Sequence, residues 1–147
     1  MQTFLPYESF IESAKCLDNK RLGKQRVEAK QILIALGVDV GQHRGNSSSS
    51  WRSHPCTKMW RGYEVSLAKY GRAICDEWIA RGYKDTLCEQ FDAICSQGGS
   101  DLDRPFWLGA ESLHASHRSN LLRKDEKHYG SLGWNELPDM EYVWPVA

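Results

Sequence analysis

The stretch from Leu17 to Leu36, LDNKRLGKQRVEAKQILIAL, constrains the fold of this chain more than any other. At about 100° per residue, Leu22, Ala29, Leu33 and Leu36 share one helical face, and Arg21, Lys24, Gln25 and Glu28 form a polar stripe beside it. The pattern predicts a helix with one buried side that stops at Gly37, a residue suited to a C-terminal cap. Between Lys20 and Lys30 stand five basic residues and a single acid, Glu28. Such a stripe suits a phosphate backbone with one carboxylate held close by. The plainer reading is a solvated helix face with charge pairs at helical spacing.

The remainder reads as helices separated by turns. A short helix is expected over Glu8 to Cys16, with Phe10, Ile11 and Ala14 available for burial. Residues 38–53 carry Gly41, Gly45, five serines and no period, which predicts a surface loop, mobile around Asn46 to Ser50. At His54-Pro55 a helical pattern restarts. Trp60, Tyr63, Leu67, Tyr70, Ile74 and Trp78 recur every three or four residues as far as Arg81-Gly82, predicting the longest helix and an aromatic core stripe. A weaker helix follows from Thr86 to Ser96, then a GGSDLDRP turn. The last long helix is expected from about Gly109 to Tyr129, with Leu113, Leu121 and Leu122 inward and His117, Arg118, Arg123, Lys124 and Lys127 partly outward. Beyond Gly130 the tail is irregular and aromatic, and Trp134, Tyr142 and Trp144 are expected to dock back on the helices. With no strand pattern, repeat or linker, residues 1–147 read as one compact all-α domain of three main helices, several short ones and an irregular tail.

At 147 residues the chain can bury a core without disulfide or metal staples. Its longest apolar run, ILIAL, is too short to cross a bilayer, so no membrane association is expected. The start, MQTFLPYESF, lacks the basic and apolar segments of a signal peptide, and the five cysteines have no paired spacing, which points to a reducing, cytoplasmic setting. Formal net charge is zero, so any case for nucleic acid rests on where the charges lie. Acids gather at Asp85 to Asp103 and Glu136 to Glu141, away from the basic helix.

Two further groups of residues suggest chemistry. His54, with Arg52 and Arg61, stands at a helix start whose free backbone N–H groups suit a phosphate; a capping or packing histidine is the equal alternative. In ASHRSNLLRKDEK, His114 and His117 lie one turn apart, yet the chain has no cysteine pair at finger spacing and no glutamate between two histidines four apart. No metal or other cofactor is expected, and Arg118, Arg123 and Lys127 suit phosphate contacts better.

These residues carry a resemblance to the pyrimidine-dimer DNA glycosylases of the bacteriophage endonuclease V type. LDNKRLGKQRVEA resembles the helix bearing that family's catalytic glutamate, which falls on Glu28. IARGYKDT resembles the end of its central helix, and LRKDEK with Trp134 its C-terminal arginine, lysine and aromatic segment. The resemblance implies an all-α enzyme that flips a nucleotide from the duplex, attacks the sugar C1′ with its own N-terminal amine, and uses the glutamate for base loss and strand cleavage. An α-amino group suits that attack, since its ordinary pKa of about 7.7–8.0 leaves a neutral fraction that a lysine near 10.4 lacks.

Two positions depart from the family pattern. Its nucleophile is a threonine exposed by removal of the initiator methionine, whereas here Gln2 follows Met1 and the threonine is Thr3. Met1, a desolvated Lys20 or Lys24, and water acting with Glu28 are therefore the alternatives. The arginine beside the family's glutamate aligns with Val27, while Arg26 points elsewhere on the helix.

The sequence thus leads to a monomeric glycosylase that excises damaged or modified pyrimidines from double-stranded DNA, with or without an AP lyase step. Glu28 and Met1 are its catalytic candidates. Arg21, Lys24, Gln25, His54, His117, Arg118, Arg123 and Lys127 are its candidate DNA contacts, with Arg21, Lys24 and His117 nearest the reacting nucleotide. The competing readings are a non-catalytic nucleic-acid-binding module of the same fold and an unrelated phosphate-ligand enzyme using His54, His117 and Arg118.

Overall fold

A computed structural model of the chain describes residues 2–97 and 104–146. The first two helices are α1, Phe10–Cys16, and α2, Asn19–Ala35. Of the face that the periodicity predicts, α2 buries Leu22, Ala29 and Leu33, while Leu36 at its end is partly buried and Ile32 joins the core. It closes at Gly37, whose φ of 91° needs glycine's freedom, with Val38 N–H donating to Leu33 O at 3.0 Å. Gly23 answers a different demand. A Cβ there would stand 2.9 Å from the Trp78 ring, so a larger residue would push that ring off the helix.

The helical pattern from Pro55 onward is broken where a continuous helix is expected. It forms α3, Pro55–Trp60, and α4, Glu64–Ala80, separated at Arg61–Tyr63. Gly62 adopts φ 87° in open space, so backbone conformation and not crowding calls for glycine there. The apolar stripe survives the break, because Trp60, Leu67, Tyr70 and Ile74 all remain in one core. Trp78 is only half-buried, stacked on Tyr83 at 4.1 Å with the Arg26 guanidinium 4.8 Å from its ring centroid. The α4 helix packs against α1, α2 and α5, which spans Cys88–Cys95. The GGSDLDRP turn falls largely on residues 98–103, outside the described residues.

The last long helix, α6, spans Glu111–Lys124, shorter than the expected Gly109 to Tyr129. Asp125 interrupts it, and its side chain caps α7, Glu126–Tyr129, by accepting from His128 N–H at 3.1 Å. Among the described residues there are seven α-helices and no strand, only an isolated bridge between Val40 and His43. The architecture is all-α, with α2, α4 and α6 as its three long members. No helix of the described residues is long and apolar enough to cross a membrane.

The serine-rich loop is tied down more firmly than its composition suggests. Asn46 N–H donates to Ile34 O at 2.7 Å and Gly45 N–H to Asp39 Oδ1 at 2.7 Å. Ser49 then caps a single 3-10 turn, Ser50–Ser53. Polar side chains supply what hydrophobic periodicity does not.

Residues 2–6 are bonded to all three long helices and have no partner strand, and side chains pair their backbone instead. From α2, Gln25 Nε2 donates to Gln2 O at 2.8 Å and Gln25 Oε1 accepts from Phe4 N–H at 3.0 Å. From α4, the Tyr70 hydroxyl lies 2.9 Å from Phe4 O. From α6, His117 Nδ1 accepts from Leu5 N–H at 2.9 Å, His114 Nδ1 lies 2.7 Å from Leu5 O, and Arg118 Nη1 donates to Pro6 O at 2.8 Å.

This pairing corrects the expected orientation of α6. His117, expected partly outward, has 0% exposure, and Arg118 is buried too. The reason is that α6 is covered twice, by the N-terminal segment and by the C-terminal tail. Ser116 Oγ accepts from Val143 N–H at 3.1 Å, Ser119 Oγ accepts from Met140 N–H at 3.0 Å, and Asn120 Nδ2 donates to Met140 O at 3.0 Å. A run that looks like a solvated face is a polar docking strip. Arg123, Lys124 and Lys127, at and beyond the helix end, are exposed.

Burial, helped by the nearby His114, pushes the His117 imidazole down to about 3. With a folded pKa below the unfolded one, the unfolded chain takes up the proton first, so stability falls as pH drops from about 6.5 toward 3. We expect thermal melts to show a loss of roughly 2–3 kcal/mol between pH 6.5 and 4.5. His117→Asn, which keeps an acceptor for Leu5 N–H, should flatten that slope.

Candidate functional site

The polar stripe of α2 opens into a cleft of about 380 Å³. Lys20, Arg21, Lys24, Gln25 and Glu28 form one wall, Gln2 and Phe4 of the N-terminal segment another, and Lys124 and Tyr142 complete it. Four cationic side chains thus surround one carboxylate. Glu28 is 7% exposed, while the Lys24 side chain is 74% exposed, with Nζ 3.9 Å from Glu28 Oε1. At that distance, with the ammonium in solvent, the pair is a loose one, so the carboxylate is not locked into an ion pair. Arg21 is steadied by Asp18 at 3.2 Å, and Asp18 also accepts from the Tyr129 hydroxyl.

The electrostatics favour an anion. Burial lowers the Lys124 pKa, and repulsion from Arg21, Arg123 and Lys24 adds to it, the mark of a local surplus of positive charge. Burial raises the Tyr142 pKa against the opposing pull of Arg123 and Arg21. A partly desolvated carboxylate amid cations can hold a phosphate-bearing ligand and move a proton at one point on it.

The structure gathers some candidates here and assigns others to the scaffold. Arg21, Lys24 and Glu28 line the cleft as the stripe predicts. Gln25 also borders it, yet both ends of its amide are taken up by Gln2 and Phe4. His117 lies in the core, with its ring against Tyr142 at 5.7 Å and its Nε2 without a polar partner. Arg118 is engaged by Glu136 at 3.0 Å, by Glu111 and by Pro6 O. His54 caps α3, its Nδ1 accepting from Cys56 N–H at 3.1 Å. Arg123 bonds Asn120 from an exposed position beside the cleft, and Lys127 is exposed on α7.

Met1 lies outside the described residues. Thr3 is buried, its hydroxyl accepting from Trp60 Nε1 at 3.0 Å. Arg26 is drawn away from the cleft by the buried carboxylate of Asp85. Among the described residues no cluster of His, Cys, Asp or Glu is arranged to hold a metal, and the His114 nitrogens are engaged by Gly109 N–H and Leu5 O.

Sequence reasoning misses Lys124 and Tyr142 as cleft residues. Lys124 sits in the last turn of α6 and Tyr142 in a tail without period, so neither shares a spacing with α2. Lys20 stands out in the sequence as the start of the basic run and as an amine.

Gln25 is the keystone of the cleft floor. Gln25→Leu leaves Gln2 O and Phe4 N–H unpaired and is expected to cost about 3 kcal/mol in urea unfolding, against under about 0.5 kcal/mol for Lys24→Ala on the surface.

The profile of the pyrimidine dimer DNA glycosylases matches residues 1–88, which include every residue lining the cleft except Lys124 and Tyr142. No curated protein and no solved structure matches the chain. The match spans more than half the sequence, from the N-terminal segment through α4, and by it the chain belongs to the pyrimidine dimer DNA glycosylase family, whose partner is DNA.

Proposed function

We propose that the chain removes a damaged or modified pyrimidine from double-stranded DNA, as a cytoplasmic monomer, by drawing the nucleotide out of the stack into the cleft beside Glu28. One observation carries this reading: among the described residues lining the cleft Glu28 is the acid, and Lys20, Arg21, Lys24 and Lys124 line it too. Arg21 and Lys24, joined by Lys20 and Lys124, hold phosphates around the reacting sugar, and Arg123 and Lys127 extend the grip along the backbone. Gln25, His117 and Arg118 serve indirectly, by fixing the N-terminal segment.

The reacting amine is that of Met1. Support comes from Gln2, its neighbour in sequence, which lines the same cleft as Glu28. The amine attacks C1′, the bond from C1′ to the pyrimidine nitrogen breaks, and the base leaves with that electron pair and takes up a proton from water. Glu28 takes a proton from the attacking nitrogen and passes it to the ring oxygen as the sugar opens to an imine. In the lyase step Glu28 accepts the proton from C2′, a C2′–C3′ double bond forms as the C3′–O bond breaks and the 3′ phosphate departs with its electron pair, and water then hydrolyses the imine to free the amine.

Duplexes that each carry one damaged or modified pyrimidine, read out by strand cleavage with and without alkali, test the assignment. Glu28→Gln is expected to keep DNA affinity while base release falls by roughly two to four orders of magnitude. Turnover unchanged in that variant removes Glu28 from the chemistry. A wild-type chain that binds DNA with a strong salt dependence yet releases no base from any duplex is the non-catalytic module.

Borohydride is expected to trap a covalent DNA adduct on the N-terminal peptide. An active enzyme that yields no adduct hydrolyses the bond with water instead. Replacing both Lys24 and Lys124 by Ala should lower the salt slope of DNA binding by about one unit for each phosphate that the variant no longer neutralises.

A further inference from the structure

Tyr129 closes α7 with 0% exposure, and its hydroxyl reaches back to Asp18, the residue that precedes α2. The hydroxyl donates to Asp18 Oδ1 and accepts from Asp18 N–H at 3.1 Å. The same carboxylate oxygen accepts from Arg21 Nη1 at 3.2 Å, and Arg21 lines the cleft beside Glu28. One oxygen therefore joins a phenol in the core to a guanidinium in the site.

Asp18 holds the N-cap position of α2, where an aspartate ordinarily accepts from the free N–H groups of the helix. Its side chain forms no such capping bond. Although burial opposes it, the Tyr129 hydroxyl and then the Arg21 guanidinium hold the Asp18 carboxyl below the usual carboxylate range, and Arg21 N–H contributes less than either. A bond that only tied α7 to α2 needs no more than Asp18 N–H. The carboxylate is turned from the helix end toward Arg21 instead.

Among the described residues Arg21 is the one cleft cation that a hydrogen bond holds. Lys20 and Lys124 have no ion-pair partner there, and Lys24 meets Glu28 only at 3.9 Å. The Arg21 Nε and Nη2 groups make no hydrogen bond to the described residues, and the side chain keeps 19% exposure. A guanidinium fixed at one corner presents its remaining N–H groups in a set direction, which suits the paired oxygens of a phosphate. Tyr129 is itself held, stacked on Trp134 with ring planes 12° apart, while Trp134 Nε1 donates to the Tyr7 hydroxyl at 2.8 Å.

We propose that Tyr129 is a positioning residue: acting through Asp18, it sets the direction in which Arg21 offers its free N–H groups to a phosphate in the cleft. The inference rests on the cleft being the DNA site, and it adds to that reading a residue from outside the cleft on which the grip depends.

The test measures affinity for a duplex carrying a tetrahydrofuran abasic analogue, which has no base to release, at a temperature where every variant is folded. Wild type, Tyr129→Phe, Arg21→Ala and the double variant are compared. Tyr129→Phe keeps the ring on Trp134 and changes no charge. It is expected to weaken binding about fivefold and Arg21→Ala about tenfold, with the double variant no weaker than Arg21→Ala alone. Tyr129→Phe also lowers the unfolding midpoint, because Asp18 N–H loses its partner, and that fall persists in the Arg21→Ala background. On a duplex with a damaged pyrimidine, the Tyr129→Phe loss is expected in KM, with kcat kept within about twofold. A Tyr129→Phe loss of the same factor in both backgrounds, a loss confined to kcat, or wild-type affinity in Tyr129→Phe while Arg21→Ala binds weakly overturns the proposal. Wild-type affinity in Arg21→Ala strikes instead at the cleft as the DNA site, and the inference falls with it.

Discussion

The backbone of residues 2–6 crosses the interior without a strand beside it, and the rest of the structure depends on how its polar groups are paired. An unpaired buried N–H or C=O costs on the order of 1–3 kcal/mol, so a non-helical segment inside an all-α domain needs side-chain partners along its length. Gln25, Tyr70, His114, His117 and Arg118 are those partners, drawn from three different helices. The two histidines face opposite backbone groups of Leu5, which fixes opposite tautomers: His117 accepts at Nδ1 and His114 donates from it. The segment therefore joins α6 to α2 and α4 as a polar seam, and it delivers Gln2 to the edge of the cleft that holds Glu28.

Ion pairs elsewhere sort the charges. The chain is neutral as a whole, but its acids are spent on particular cations: Asp85 on Arg26, Glu136 and Glu111 on Arg118, Asp18 on Arg21, Glu77 on Arg81. Arg81 in turn donates to the carbonyls of Ala14 and Lys15, closing the end of α1. Lys20, Lys24 and Lys124 are left to face the cleft around Glu28, so a neutral protein carries a positive site.

The tail matters for the same reason as the N-terminal segment. Trp134 lies parallel to Tyr129 at 5.5 Å and donates to the Tyr7 hydroxyl, while the residues around Met140 and Val143 bond to the serine and asparagine stripe of α6. Both coverings of α6 are polar, which is why a helix so poor in apolar residues is nonetheless buried.

The sequence by itself determined the helices whose apolar residues keep a period and the polar stripe of α2 with Glu28 in it, because side chains three and four apart on a helix must share a face. It also carried the family, in the same stretch. It misjudged the break at Gly62, since the periodic stripe continues across a residue whose φ no spacing reveals. It put His117 and Arg118 outside, since polar residues look solvated until the segments that cover them are known. Tertiary structure alone decided that α6 is buried, that Lys124 and Tyr142 complete the cleft, and that Gln25 is structural. Those pairings join residues about twenty to more than a hundred positions apart, and no local period encodes a pairing at that distance.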